Sequence, residues 1–416
     1  MKVSSRAPTP SPAQAVRSGL TYQRCIGRYS GEAAGPTLLC LAGLHGNEPA
    51  GVLGLESVLR VLDGERPGMR GDFVGLAGNL AALECGRRFI DEDLNRIWQS
   101  VRVNAILASE RAKRGQEPFL DSEQPPGAEL LELVGSSEYH EQRELLIALQ
   151  QALEAARGTV FVLDLHTTSA ESVPFATLGD TRANREFALK LPLPIVLGLE
   201  EQIDGAMLEH LDQVGLVGIG IEGGAHEAGA SVEAHEDSLW LALGALGMLE
   251  PQDIPDAAGR RARLAHASKG LPQVLAVRYR HDIRSDDGFR MLPGFRNFEP
   301  VGGGQVIGSS SAGLVRAPEG GRIFLPLYQE QGNDGFFIVH EVNPAWLRVS
   351  ALLRGLHVDR LAPLIPGVQK HPERTDAFVL GSRPNGVVIG LLHLLGFTKR
   401  VERGQVLMIR RAEHDE

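Results

Sequence analysis

The stretch "PTLLCLAGLHGNEPAG", residues 36–51, decides the reading of this chain. Its first nine residues are a short apolar run of the kind found in strands buried on both faces of a parallel sheet. Pro49 then suits the first turn of a helix. Val52, Leu55, Leu59 and Leu62 follow at helical spacing and give that helix one apolar face. Between strand and helix, among glycines, stand His45 and Glu48, where open α/β sheets place their ligand sites. In a turn tightening into a helix, residues three apart can point the same way. The pair reads as a helix cap or solvated pair, or as part of a metal site.

Outward from this stretch the same pattern recurs. "GDFVGLAGN" (71–79), "TVFVLDLH" (159–166) and "GLVGIGIE" (215–222) read as further buried strands. "SEYHEQRELLIALQQALEAA" and "EDSLWLALGALGML" read as helices. Strands alternating with helices predict an α/β fold, a mixed, largely parallel sheet flanked by helices, over residues 21–265. Residues 1–20, rich in Pro, Ser and Ala, read as a disordered lead-in without the apolar core of a signal peptide. Residues 99–138 read as an inserted surface excursion. From 271 the texture changes: "PQVLAVRYRH" alternates with period two and many glycine turns follow, which predicts a smaller β-rich domain over 266–340. The tail, 341–416, reads as helical, with "PAWLRVSALLRGL" and the apolar segment 387–397 as packing surfaces.

Composition narrows the function. A chain of 416 residues exceeds what one core usually covers, so more than one domain is expected. A net charge of −10 gives no general attraction to nucleic acid or anionic membranes, and no apolar run is long enough to span a bilayer. The three scattered cysteines, Cys25, Cys40 and Cys85, read as reduced thiols, which points to a cytoplasmic protein. A homo-oligomer is compatible with the sequence.

Three more short motifs carry polar chemistry. In "DLHTTS" (164–169), His166 ends a buried strand, and Asp164 lies two residues earlier on the same face. Asp164 can accept the spare N–H of a metal-ligating imidazole, or partner a core histidine. Two histidines and a glutamate match the protein ligands of catalytic zinc sites, which leave one position open. In "IEGGAHEAG" (221–229), Glu222 at a third strand end is a candidate general base, or an exposed terminal acid. His226 and His235 read as surface residues, His226 also as a possible neighbour of the site. In "RRFIDEDLNRIW" (87–98), Arg87, Arg88, Asn95 and Arg96 can serve an oxyanion and a carboxylate, or simply pair with Asp91, Glu92 and Asp93 on the surface.

Taken in order, "GLHGNEPAG", "RRFIDEDLNR", "DLHTTS" and "GIEGG" resemble the succinylglutamate desuccinylase/aspartoacylase family of zinc-dependent hydrolases, which have the zinc carboxypeptidase fold. The resemblance implies one zinc ion per chain held by His45, Glu48 and His166, with Asp164 behind it. It implies Glu222 as general acid/base and Arg88 as the group that polarises the carbonyl. Asn95 and Arg96 then bind the substrate carboxylate. The implied reaction is hydrolysis of the amide of an N-acyl amino acid or similar small molecule. One feature bears on the substrate: no Lys or Arg occurs from Leu191 to Gly259, whereas Glu200, Glu201, Asp204, Glu209 and Asp212 do. A neutral or cationic N-acylated substrate is therefore expected. Two rival readings are a zinc carboxypeptidase acting on peptides and a metal-stabilised binding or regulatory protein without turnover.

Overall fold

The computed structural model describes residues 21–113, 135–284, 286–372, 374–381, 385–402 and 405–411. The lead-in at 1–20 and the part of the excursion from 114 to 134 lie outside the described residues. In chain order the strands are β1 (Cys25–Ser30), β2 (Ala33–Ala42), β3 (Arg70–Ala77), β4 (Val160–Thr168), β5 (Phe175–Leu178), β6 (Ile195–Leu197), β7 (Val217–Ala225) and β8 (Val274–Asp282). There follow β9 (Arg290–Met291), β10 (Pro300–Val301), β11 (Val306–Ser310), β12 (Gly313–Arg316), β13 (Gly321–Phe324) and β14 (Asp334–Glu341). One sheet runs β1-β3-β2-β4-β7-β5-β6-β8-β14-β13-β10. Its centre is parallel: β2 pairs so with β3 and β4, and β4 with β7.

The continuous apolar run of β2 has a direct cause. Leu38, Cys40 and Ala42 enter one core, with the helices Ala50–Glu65 and Gly229–Ala245. Leu39, Leu41 and Leu44 enter the other, with Val103, Ile106, Leu145 and Leu149 from the helices Ser100–Lys113 and Ser137–Glu154. Helices therefore cover both faces of this strand. The start of the supposed excursion is thus a helix packed on the core: Val103 and Ile106 are each 1% exposed.

The β-rich region does not stand apart. β8 pairs parallel with β6, and β14 antiparallel with β8, so the main sheet continues into it. Within this region β9, β11 and β12 form a separate small sheet. The tail differs from the expectation of a helical segment. Besides the helices Pro344–Gly355 and Gly386–Leu394 it holds a sheet of its own, β15 (Val368–Lys370), β16 (Ala377–Leu380), β17 (Phe397–Glu402) and β18 (Gln405–Arg410). Lys399 and Arg400 interrupt the apolar pattern of β17, and the pairing of Ala377 with Ile409 joins residues far apart in sequence, which local periodicity does not register. This tail has its own core of Ala362, Val368, Leu380, Leu392, Phe397 and Met408.

Candidate active site

β2, β4 and β7 lie side by side and parallel, with Ala42 opposite Leu165 and His166 opposite Glu222. Their carboxyl ends open on one edge of the sheet. The turn after β2 needs its glycines: Gly43 takes φ +68°, and a Cβ on Gly46 would fall 2.0 Å from the carbonyl carbon of Ala82. Glu48 N–H donates to His45 O at 3.1 Å and closes the turn. This folds both side chains inward, His45 to 3% and Glu48 to 2% exposure.

The Glu48 carboxylate lies between two imidazoles, Oε1 2.9 Å from His45 Nδ1 and Oε2 3.1 Å from His166 Nδ1. Thr167 N–H also donates to Oε2, at 2.9 Å. The far nitrogens face other carboxylates, His45 Nε2 3.0 Å from Asp93 Oδ1 and His166 Nε2 2.8 Å from Asp164 Oδ2. An ionised carboxylate only accepts and a neutral imidazole carries one hydrogen, so a neutral ring between two carboxylates is one donor short. The Nδ1 of each ring faces Glu48 as a donor when the ring is charged, or as a lone pair open to a metal when it is neutral. One nitrogen of each histidine and a Glu48 oxygen lie within 4.8 Å of one another, close enough to hold a metal ion together. Burial disfavours a charged His166, yet Asp164 and Glu48 outweigh it and lift its pKa well above the usual histidine range. The donor set, two imidazoles oriented by carboxylates plus one carboxylate, fits a zinc ion with an open position.

Glu222 faces the same cavity, and its buried Oε2 has no hydrogen-bond partner among the described residues. Burial, with help from Glu48 and Asp164 and against His166 and Arg88, pushes its pKa up to about 8. Arg88 is fixed by Asp93, Nε to Oδ2 at 3.1 Å, and its NH1 reaches Glu48 Oε1 at 3.5 Å. Burial opposes ionisation of Asp93, but Arg88 and His45 hold its carboxyl well below the usual range. Asp93 thus ties a histidine and an arginine of the cluster together. Sequence reasoning had weighed it only as a surface partner of arginine. Glu92 and Asp91 do pair away from the site, with Arg102 and with the Ser137 N–H.

Asn95 and Arg96 line the cavity too. Asn95 Oδ1 accepts from Met207 N–H at 2.8 Å, which leaves its NH2 to donate. Arg96 meets Asp334 of β14 at 3.0 Å, and Arg280 of β8 meets the other oxygen at 2.6 Å. Arg280 also pairs with Asp282 at 3.1 Å, so two carboxylates hold the two guanidiniums. Asp334 and Arg280 were not foreseen, because their closeness to Arg96 depends on β8 and β14 joining the sheet. The β-rich segment also brings Leu325, Leu327 and Gln329 to the cavity. Gln329 Oε1 accepts from Asn47 Nδ2 at 2.8 Å and faces His226 Nε2 at 3.1 Å.

Two histidines differ from the surface reading. His226 lines the cavity, its Nδ1 2.7 Å from Thr167 Oγ1. His235 is fully buried, with Gly54 and Gly223 providing the room: a Cβ on Gly223 would fall 2.6 Å from His235 Nε2. Glu200, Glu209 and Asp212 line a further wall of the cavity. Among the described residues, Glu200 and Glu209 pair with cations of the tail, Arg411 and Arg400 respectively.

A largely parallel sheet whose strand ends bring together two histidines and a glutamate able to hold a metal ion, with a further carboxylate beside them, defines an α/β chain with a candidate metal site. Residues 34–239 match the model of the succinylglutamate desuccinylase/aspartoacylase catalytic domain, and the chain belongs to that family through this segment. It is 31% identical over 85 residues to the succinylglutamate desuccinylase of Photorhabdus laumondii, a match covering 20% of this chain and 26% of that relative. The matched stretch thus spans about a quarter of the curated relative's length. A succinylglutamate desuccinylase/aspartoacylase structure from Rhodobacter sphaeroides aligns with TM-score 0.51 at 16% identity, over 77% of this chain and 88% of that one. A product-bound ectoine utilization protein from Ruegeria pomeroyi aligns with TM-score 0.50 at 17% identity, over 75% and 86%. Likeness at this identity establishes the fold. No helix among the described residues is long and apolar enough to cross a membrane.

Proposed function

We propose that this chain is a zinc-dependent amidohydrolase that cleaves the amide of a small N-acyl amino acid with a neutral or basic side chain. The observation that carries the reading is the unpartnered Oε2 of Glu222, which shares one cavity with the His45–Glu48–His166 cluster and Arg88. His45, Glu48 and His166 would hold the zinc, which supplies Lewis acidity towards water and the scissile carbonyl. Glu222 takes a proton from the attacking water and returns it to the departing amine nitrogen. Its raised pKa makes it a ready acid for that second step, and a cation in the cluster lowers it towards base function in the first. Arg88, held in place by Asp93, donates to the carbonyl oxygen as negative charge develops there. The NH2 of Asn95 and the guanidinium of Arg96 receive the substrate carboxylate. Leu325, Leu327 and Gln329 narrow the mouth and favour small substrates over long peptides.

The test is a screen of the zinc-loaded protein against N-acetyl amino acids with acidic, neutral and basic side chains, beside a long peptide. Hydrolysis of neutral or basic members, abolished by chelation, is expected. Efficient hydrolysis of N-acetylaspartate with neglect of the others would overturn the substrate assignment. Turnover confined to the peptide would make the chain a carboxypeptidase.

A further inference from the structure

The wall of the cavity that carries Glu200, Glu209 and Asp212 is acidic, and among the described residues the cations paired with Glu200 and Glu209 come from the far end of the chain. Glu200 follows β6, and Glu209 and Asp212 lie on the helix Met207–Gln213. Arg411 pairs with Glu200, with Asp180 and Asp212 close enough to help hold its charge. Arg400 pairs with Glu209 and, at 2.7 Å, with Asp204. The second oxygens of Glu200 and Glu209 are buried without a hydrogen-bond partner among the described residues. These carboxylates are therefore only half satisfied by the tail. Buried acceptors of this kind have capacity for another donor.

The part of the tail that bears these arginines has its own core, while Leu347 of the helix Pro344–Gly355 anchors the tail in the core of the main sheet. β17 and β18 meet the acidic wall through charged contacts, with His393 3.1 Å from Glu201 beside the two arginine pairs. An ion pair can exchange one cation for another of the same chemistry without leaving the carboxylate unpaired.

We infer that Glu200, Glu209 and Asp212 form a recognition wall for a guanidinium or ammonium group, and that Arg400 and Arg411 of the tail hold it in cis as a tethered competitor. The inference rests on the amidohydrolase reading only for the identity of the ligand, a basic N-acyl amino acid. A tethered group competes at a high effective concentration, so the wall is available only in the fraction of molecules whose tail has lifted. Apparent affinity for a basic ligand falls by that fraction, whereas a neutral ligand that leaves the wall empty is unaffected.

The experiment compares full-length wild type with the double variant Arg400→Met, Arg411→Met by calorimetric titration of the metal-free proteins. The probes are Nα-acetyl-L-arginine and its neutral counterpart Nα-acetyl-L-norleucine. If the tail competes, the variant binds the arginine probe about tenfold more tightly and the norleucine probe unchanged. Further change of Glu200 and Glu209 to Gln should erase the preference for arginine. Equal gains for both probes, or no gain for either, overturn the inference. A second measurement needs no variant: millimolar Nα-acetyl-L-arginine, and not the norleucine probe, should speed hydrogen exchange across residues 397–411 of the wild type. Unchanged exchange overturns the inference even if the double variant fails to fold. Competition without any hydrolysis by the zinc-loaded enzyme would sink the amidohydrolase reading and leave the tail's role standing. Hydrolysis of neutral substrates without competition would do the reverse.

Discussion

Asp93 shows how much one side chain can organise. It accepts from His45 Nε2 with one oxygen and from Arg88 with the other, so it fixes the tautomer of a proposed ligand and the aim of a proposed oxyanion donor at once. Asp93→Asn keeps the shape but can present a donor to one of these partners. Zinc affinity should fall about 10- to 100-fold, read by competition with a chromogenic chelator. An unchanged affinity would reduce Asp93 to an arginine partner. Glu222→Gln makes the contrasting case. It leaves zinc content near one per chain by elemental analysis, yet should lower kcat about 10²- to 10⁴-fold. Loss of metal in that variant would mean that Glu222 is a ligand instead. At this scale legibility divides cleanly. His45, Glu48 and His166 show in the sequence because each follows a recognisable buried strand. Asp93 does not, because its tie to His45 crosses 48 positions and depends on how residues 88–96 fold back.

At the scale of elements, the loop carrying Arg88, Asp93 and Asn95 needs an anchor, and the helix Ser137–Glu154 supplies it. Glu138, fully buried, accepts from Ile90, Asp91 and Glu92 N–H at 2.7, 2.9 and 3.2 Å and from Asn79 Nδ2 at 2.9 Å. Four donors on one carboxylate replace the water it gave up on burial. In Glu138→Gln one oxygen becomes an NH2 that faces donors. The variant should lose about 2–4 kcal/mol of stability in urea unfolding. Its kcat should fall with the loop's order while zinc binding through Glu48 and His166 persists. A loss under 0.5 kcal/mol would show that the loop holds itself. The apolar periods of that helix and of β2, β4 and β7 are readable because each reports burial on its own element. Glu138 reads as one more acid at a helix start, since its donors come from a segment more than forty residues earlier. The strands of the tail stayed hidden for a related reason, as their pairing partners are distant and their arginines serve another part of the molecule.

For the whole molecule, the decisive fact is that one sheet continues from β1 to β10. It brings Asp334, Arg280 and Gln329 to residues 45–222, and the tail then closes on the acidic wall. The arrangement leaves a pH signature. Burial, only partly opposed by Arg411, raises the pKa of Glu200 to about 7, and burial raises that of Asp212 to about 6. A carboxyl with a raised folded-state pKa keeps its proton in the native protein after the unfolded chain has lost it. The native state then binds more protons, and stability falls as pH rises from about 4.5 through about 7. Glu200→Gln carries no such proton. Relative to wild type, the variant should therefore gain stability between pH 4.5 and pH 8, on the order of 2 kcal/mol, measured by urea unfolding of the metal-free proteins. The opposite slope, with the variant losing ground as pH rises, would mean that Glu200 ionises easily in the native state. Arg411 would then hold the wall as a tight ion pair, and a basic ligand would find it harder to displace the tail.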